Sequence, residues 1–177
     1  MPSTITKSSN LGFPRIGANR ELKRLVENFW SGKLPQSALL TGAKNIRLEH
    51  WQLQKDAGID LIPSNDFSMY DQVLDHSQMF GVVPDRYRCL DDDVVGQYFA
   101  MARGLQRDGT DGVKIDVPAL EMKKWFDTNY HFIVPEFKAD QEFHLAAIVK
   151  PVAEFKEAKE LGIHTRPVML GPMYLMF

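Results

Sequence analysis

At 177 residues, 44% of them hydrophobic, the chain is long enough for one domain of ordinary size with a buried core, and no more than one is expected. A formal net charge of -2, from 21 basic and 23 acidic residues mixed along the chain, excludes a general attraction to nucleic acid or anionic lipid and leaves room only for a local basic patch. The single cysteine, Cys89, excludes an intramolecular disulfide and a thiolate-rich zinc site. The opening MPSTITKSSN lacks the apolar run of a secretory signal, and no uncharged apolar stretch of about 18 residues follows, so a cytoplasmic protein is expected.

Residues 1–10 read as a polar, mobile start, and the folded part is expected over 11–177. Residues 11–17 predict a short strand running into a Pro/Gly-rich turn, after which Asn19 can cap a helix. Leu22, Leu25, Val26 and Phe29 form one apolar stripe on that helix, and Ser31-Gly32 ends it. A second helix is expected from Pro35 to Ala57, with Gly58 at its end. Residues 59–63, IDLIP, predict a strand, and Ser64-Asn65-Asp66 a loop able to cap a helix over 67–80.

The Asp91-Asp92-Asp93 run opens another helix that stops at Gly104. Residues 105–117, rich in Gly and Asp, suggest a disordered or inserted loop. Aromatic and β-branched content predicts a strand over 125–135, residues 151–161 a helix, and residues 166–170 a last strand before Gly171-Pro172. Strands separated by helices indicate an α/β chain of βα units around a parallel sheet, either a barrel or a doubly wound sheet.

Two segments carry candidate chemistry. Arg20, Lys23 and Arg24 fall in the opening turn of the first helix, where the macrodipole is already positive, so an anion bound by the helix N-terminus would relieve them. The alternative is a solvated face on which Lys23 pairs with Glu27 at i, i+4. The preceding Gly12-Phe13-Pro14-Arg15-Ile16-Gly17 does not fit the dinucleotide fingerprint G-x-G-x-x-G. The second segment, Lys123 to His131, would as a strand place Asp127, Asn129 and His131 on one face and Phe126, Thr128 and Tyr130 on the other, with Lys124 as a mobile cation. Its alternative is a buried strand with Asn and Asp serving neighbouring turns. Trp30 and Trp51 sit at apolar helical positions and read as core, and the five histidines lie too far apart for H-E-x-x-H or H-x-H spacing.

The ordered set GFPRIG, RELK, GIDLIPSNDFSMYDQVLD, YFAMARG, MKKWFDTNYHFIVPE and PVMLGP resembles the N-terminal part of the cobalamin-independent methionine synthase family over nearly the whole chain. The resemblance implies the first part of an N-terminal (β/α)8 TIM barrel, truncated so that the barrel is not closed, in a protein of two such barrels with the folate between them. It implies transfer of a methyl group from 5-methyltetrahydropteroyltri-L-glutamate to L-homocysteine. It assigns folate contacts to Arg20, Glu21, Leu22 and Lys23 and to Lys124 and Asn129. The family's zinc, held by a histidine, two cysteines and a glutamate, belongs to the C-terminal barrel; none of those ligands, no other cofactor and no catalytic residue is expected on this chain. Open sheet edges and an exposed apolar end at 169–177 are expected, to be covered by the missing remainder of the protein as partner. A stand-alone polyglutamyl-folate-binding module and a truncated product without catalysis remain as alternatives.

Overall fold

The computed structural model describes residues 6–90, 93–108, 114–146 and 149–176. The described chain is mixed α/β and divides into two compact units, one built from residues up to Met69 with Lys150–Met169, the other from Tyr70 to Val149 with Leu170 onward. The described residues form no closed barrel; their strands pair as three two-stranded sheets.

In the first unit, helix α1 (Glu21–Trp30) and helix α2 (Gln36–Asp56) follow the periodicity expected of them. The apolar stripe of α1 turns Leu22 and Val26 inward, and α2 answers with Leu39, Ala43 and Ile46. Gly42 permits their close approach, since a Cβ there would lie 2.6 Å from the Leu25 side chain. Strand β1 (Pro63–Ser64) runs parallel to β6 (Arg166–Pro167), joined by Arg166 N–H to Ile62 O at 2.8 Å and Val168 N–H to Ser64 O at 2.7 Å. Helix α5 (Lys150–Glu160) leads back to β6, and Trp51, Ile62, Ala158 and Ile163 make the core behind the strands.

The strand expected over 11–17 is displaced toward the N-terminus. The one parallel bridge in this region joins Ser9 to Leu61, and residues 11–17 are loop and turn. The reason lies in side chains: Ser8 binds the Asp60 carboxylate through both its N–H (2.7 Å) and its hydroxyl (2.8 Å), which fixes the pairing two residues before the apolar Leu11. Residues 1–5 of the expected mobile start lie outside the described residues. The last strand is likewise shorter than 166–170.

The second unit holds α3 (Gln72–Met79), a 3-10 turn at Asp85–Leu90, α4 (Val94–Arg103), the antiparallel hairpins β2 (Leu105–Asp108)/β3 (Lys114–Val117) and β4 (Met122–Lys124)/β5 (His131–Ile133), and the short α6 (Pro172–Met176). Val73, Leu74, Tyr87, Met101 and Ile133 are among its most deeply buried side chains.

Three expectations are corrected here. The helix foreseen over 67–80 starts only at Gln72, because Asp71, with its carboxylate accepting the Leu74 N–H at 2.9 Å, is the cap and Ser64-Asn65-Asp66 is not. Residues 105–117 pair as a hairpin in register Leu105 with Val117 to Asp108 with Lys114; residues 109–113 lie outside the described residues. The strand expected over 125–135 is a turn followed by β5, so the alternating faces assigned to residues 126–131 do not exist. Turn-forming Asp127-Thr128-Asn129 outweighs the β propensity of its aromatic neighbours, with the Thr128 hydroxyl donating to Trp125 O at 2.6 Å. Helix α4 opens on Asp93, whose carboxylate accepts the Gly96 N–H at 2.8 Å, and stops at Gly104, as expected; Asp91 and Asp92 lie outside the described residues. No helix among the described residues is long and apolar enough to cross a membrane.

Candidate functional site

The Arg20-Glu21-Leu22-Lys23 tetrad opens α1 in the first unit. Asn19 is not its cap. Arg20 occupies the cap position in the left-handed region, φ 61°, with no side-chain cap, and the turn is closed instead from within: the Glu21 carboxylate accepts the Asn19 N–H at 2.9 Å. Hydrogen bonding to that backbone N–H lowers the Glu21 carboxyl below its ordinary range. An anion therefore already sits at the positive end of the helix, supplied by the tetrad itself.

The other tetrad members divide between packing and surface. Leu22 is 1% exposed and belongs to the core, while its N–H donates to Ile16 O at 3.2 Å and ties the loop to the helix. Arg20, Lys23 and Arg24 are exposed; Lys23 lies 3.6 Å from Glu27 and Arg24 3.7 Å from Glu21. Both pairs are solvated and weak, so either cation can exchange its partner for a ligand carboxylate at little cost.

Gly17 sits at φ 83°, and a Cβ there would fall 2.2 Å from the Glu21 carboxylate. Gly17→Ala is expected to cost about 1 kcal/mol or more through backbone strain and to free the Asn19 amide. Urea unfolding together with hydrogen exchange at Asn19 checks this; an unchanged Asn19 amide would count against the Glu21 arrangement.

The preceding loop is held on the segment that follows β1. Phe13 N–H donates to the Asp66 carboxylate at 2.7 Å, and Arg15 donates to Ser68 O at 2.7 Å. A recess opens there among Phe13, Arg47, His50, Trp51, Asp66 and Phe67. Phe13 and His50 rings lie 4.7 Å apart, and burial lowers the His50 pKa, favouring the neutral imidazole. Asp66, read from sequence as a helix cap, is thus the anchor of the Gly-Phe-Pro-Arg-Ile-Gly loop.

Lys124 and Asn129 lie in the second unit, on the β4/β5 hairpin. Lys124 ends β4 opposite His131, and Asn129 stands in the connecting turn; both are exposed. The turn is closed by Trp125 N–H to Tyr130 O at 2.7 Å and contains Phe126 at φ 50°, 70% exposed. The hairpin brings Lys124 and Asn129 to the two ends of one tight turn, which a strand would not.

Sequence reasoning missed two buried carboxylates, Asp71 and Glu154, each at the centre of a hydrogen-bond cluster. Only their type was visible, a lone acid inside an apolar helical pattern. Among the described residues no three His, Cys, Asp or Glu side chains are grouped to hold a metal ion, and Cys89 is exposed.

Residues 7–177 match the model of the cobalamin-independent synthase N-terminal domain, and the chain belongs to that family. The resemblance to cobalamin-independent methionine synthase therefore holds. The chain is 55% identical over 174 residues to the 5-methyltetrahydropteroyltriglutamate--homocysteine methyltransferase of Saccharomyces cerevisiae and to its probable counterpart in Schizosaccharomyces pombe, covering 98% of this chain and 23% of each relative. It is 56% identical over 170 residues to the enzyme of that name from Xylella fastidiosa, covering 96% of this chain and 22% of the relative. The chain thus spans less than a quarter of the length of the curated relatives it matches.

Proposed function

We propose that this chain is the folate-binding N-terminal part of a methyltransferase that moves the methyl group of 5-methyltetrahydropteroyltri-L-glutamate to L-homocysteine. The observation that carries the proposal is the identity of about half the chain to proteins bearing that name, aligned over nearly its whole length. Backbone strain supports it: of the three non-glycine residues at positive φ among the described residues, Arg20 lies in the tetrad and Phe126 in the turn between Lys124 and Asn129. Such conformations persist where the surroundings enforce them, often at ligand-binding segments.

In this reading Arg20 and Lys23 receive carboxylates of the glutamate tail as charge-assisted donors, Lys124 supplies a further cation, and Asn129 offers an amide to the folate. The parallel segments at Ser9, residues 61–64 and Arg166–Pro167 are the first strands of a (β/α)8 barrel, with α1, α2 and α5 on its outside. Homocysteine must react as a thiolate, and in this reading its activating zinc belongs to the remainder of the protein, the chain's main partner. The cytoplasm, where polyglutamyl folate and reduced thiols coexist, is the compartment this chemistry implies.

Titration of the 177-residue chain with the folate triglutamate should show saturable binding that weakens on shortening the tail to one glutamate. Lys23→Ala and Asn129→Ala should each weaken it about tenfold, the loss of one charge-assisted or well-formed hydrogen bond. The isolated chain should bind without methyl transfer to homocysteine. A folded sample that binds no folate would sink the proposal for this chain.

A further inference from the structure

We propose that Asp71 is a positioning residue for the folate-binding hairpin: through Tyr130 and Ile133 its buried carboxylate fixes the turn that carries Asn129 and follows Lys124. This rests on the folate reading of that turn.

Asp71 is 1% exposed, which is unusual for a residue whose local task is to cap a helix. Capping α3 uses one bond, Leu74 N–H to Oδ2 at 2.9 Å, and a serine or threonine would supply it with less desolvation. The other bonds reach the hairpin. Oδ2 also accepts Ile133 N–H at 3.1 Å from β5, and Oδ1 accepts the Tyr130 hydroxyl. That hydroxyl accepts in turn from Gln72 N–H at 3.3 Å, so the first residue of α3 is tied to the same tyrosine.

The Asp71 backbone is itself held from behind. The Tyr98 hydroxyl accepts both Tyr70 N–H and Asp71 N–H at 3.1 Å, and burial lifts the Tyr98 phenol well above its ordinary pKa, so it stays neutral. Burial likewise raises the Asp71 carboxyl, against the lowering effect of its Tyr130, Leu74 and Ile133 bonds. A charge-capable group kept in such a place at a net cost holds something that a cheaper cap would not.

What it holds is Tyr130, whose carbonyl closes the turn on Trp125 N–H and whose chain neighbour is Asn129. The turn contains Phe126 in a strained conformation, and a strained exposed turn keeps one shape only if its ends are fixed. Val134 N–H to Glu121 O at 2.8 Å fixes the open end of the hairpin; Asp71 fixes the closed end.

The test uses the 177-residue chain, folate triglutamate titration, and backbone 15N relaxation of residues 125–130. Tyr130→Phe deletes one oxygen and preserves the ring. Asp71→Asn keeps an Oδ2-like acceptor for Leu74 and Ile133 and turns a donor toward Tyr130. Each is expected to weaken folate binding at least fivefold and to loosen the turn while α3 and α4 keep their protection, and the double variant should be no worse than the weaker single one. Loss confined to global stability, with folded variants binding as the parent does while Asn129→Ala binds weakly, would overturn the positioning role. Unchanged binding by Asn129→Ala would instead overturn the folate reading beneath it, and the proposal with it.

Discussion

Glu154→Ala should lower the unfolding free energy of the first unit by about 3 kcal/mol, whereas Glu154→Gln should cost about 1 kcal/mol at neutral pH. Glu154 is 3% exposed on α5, yet it serves the loop after β1: its Oε2 accepts Asn65 N–H at 2.7 Å. Asn65 itself is in the left-handed region, φ 61°, with its amide donating to Val168 O at 2.7 Å and its Oδ1 accepting Lys150 Nζ at 3.0 Å. Alanine at 154 would leave a buried N–H without an acceptor on a strained residue, and would leave Lys150, 3.3 Å from Oε1, without its carboxylate. The loss stays near the lower end for a broken buried pair because Arg47 keeps its two-pronged bond to Glu157 at 2.8 to 3.0 Å.

The pH dependence of this pair of variants has a definite sign. Burial raises the Glu154 carboxyl, more than Lys150 and Arg47 lower it, so the folded chain binds that proton more tightly than the unfolded chain does. A raised carboxyl gives its full stabilisation below its unfolded pKa and loses it as pH rises through the folded value. Wild type should therefore gain on Glu154→Gln as pH falls from above the raised folded value to below the ordinary carboxylate range, opposite to the usual acid lability of paired carboxylates. Urea titrations of both proteins at several pH values measure this. A difference that stays flat, or that shrinks toward acid, would show that the ion pairs outweigh desolvation.

Helices α1 and α2 could be read from the sequence because their stripes repeat at the helical period over two turns or more, and their ends carry Gly32 and Gly58 at positive φ. Local chemistry misled wherever a polar residue had a distant partner. Asp66 looks like a cap from its neighbours, and only the fold shows that it accepts the N–H of Phe13, 53 residues away. The hairpin at 122–133 was hidden by its own composition, since Trp125, Phe126, Tyr130 and Phe132 carry strand propensity while three polar residues set the turn.

The candidate ligand residues were visible as motif members, and what surrounds them was not. Nothing near Asn129 in sequence points to Asp71, which reaches Ile133 across 62 positions, and nothing near Asn65 points to Glu154, 89 positions on. In both clusters a buried carboxylate on or beside a helix accepts a backbone N–H from a distant segment with a strained residue in it: Ile133 of β5, in the hairpin that contains Phe126, and Asn65 itself. The sequence pattern of a helix records that its inward face is apolar; it does not distinguish an acid that caps from an acid that also reaches across the unit.

Trp51→Ala should cost about 4 kcal/mol, and Trp51→Phe about 2 kcal/mol. Trp51 is 3% exposed on α2 and packs with Ile62, Ala158 and Ile163, joining α2 to β1 and α5 in one core. Alanine there removes the largest side chain of that cluster and leaves a cavity that three separate elements would have to close. Phenylalanine restores most of the volume but not the indole N–H, which donates to Pro63 O at 3.0 Å. That carbonyl is buried in β1, so the smaller substitution isolates the value of one buried hydrogen bond plus the missing ring atoms. Because β1 runs directly into the Asn65-Asp66 segment that holds the Gly-Phe-Pro-Arg-Ile-Gly loop, Trp51→Phe should also broaden the Phe13 and Asp66 amide resonances before it unfolds the unit. Denaturant unfolding and amide spectra of the two variants separate these effects. A phenylalanine variant as stable as wild type, with those resonances unchanged, would show that the indole bond does not anchor β1 and that the loop takes its position from Asp66 alone.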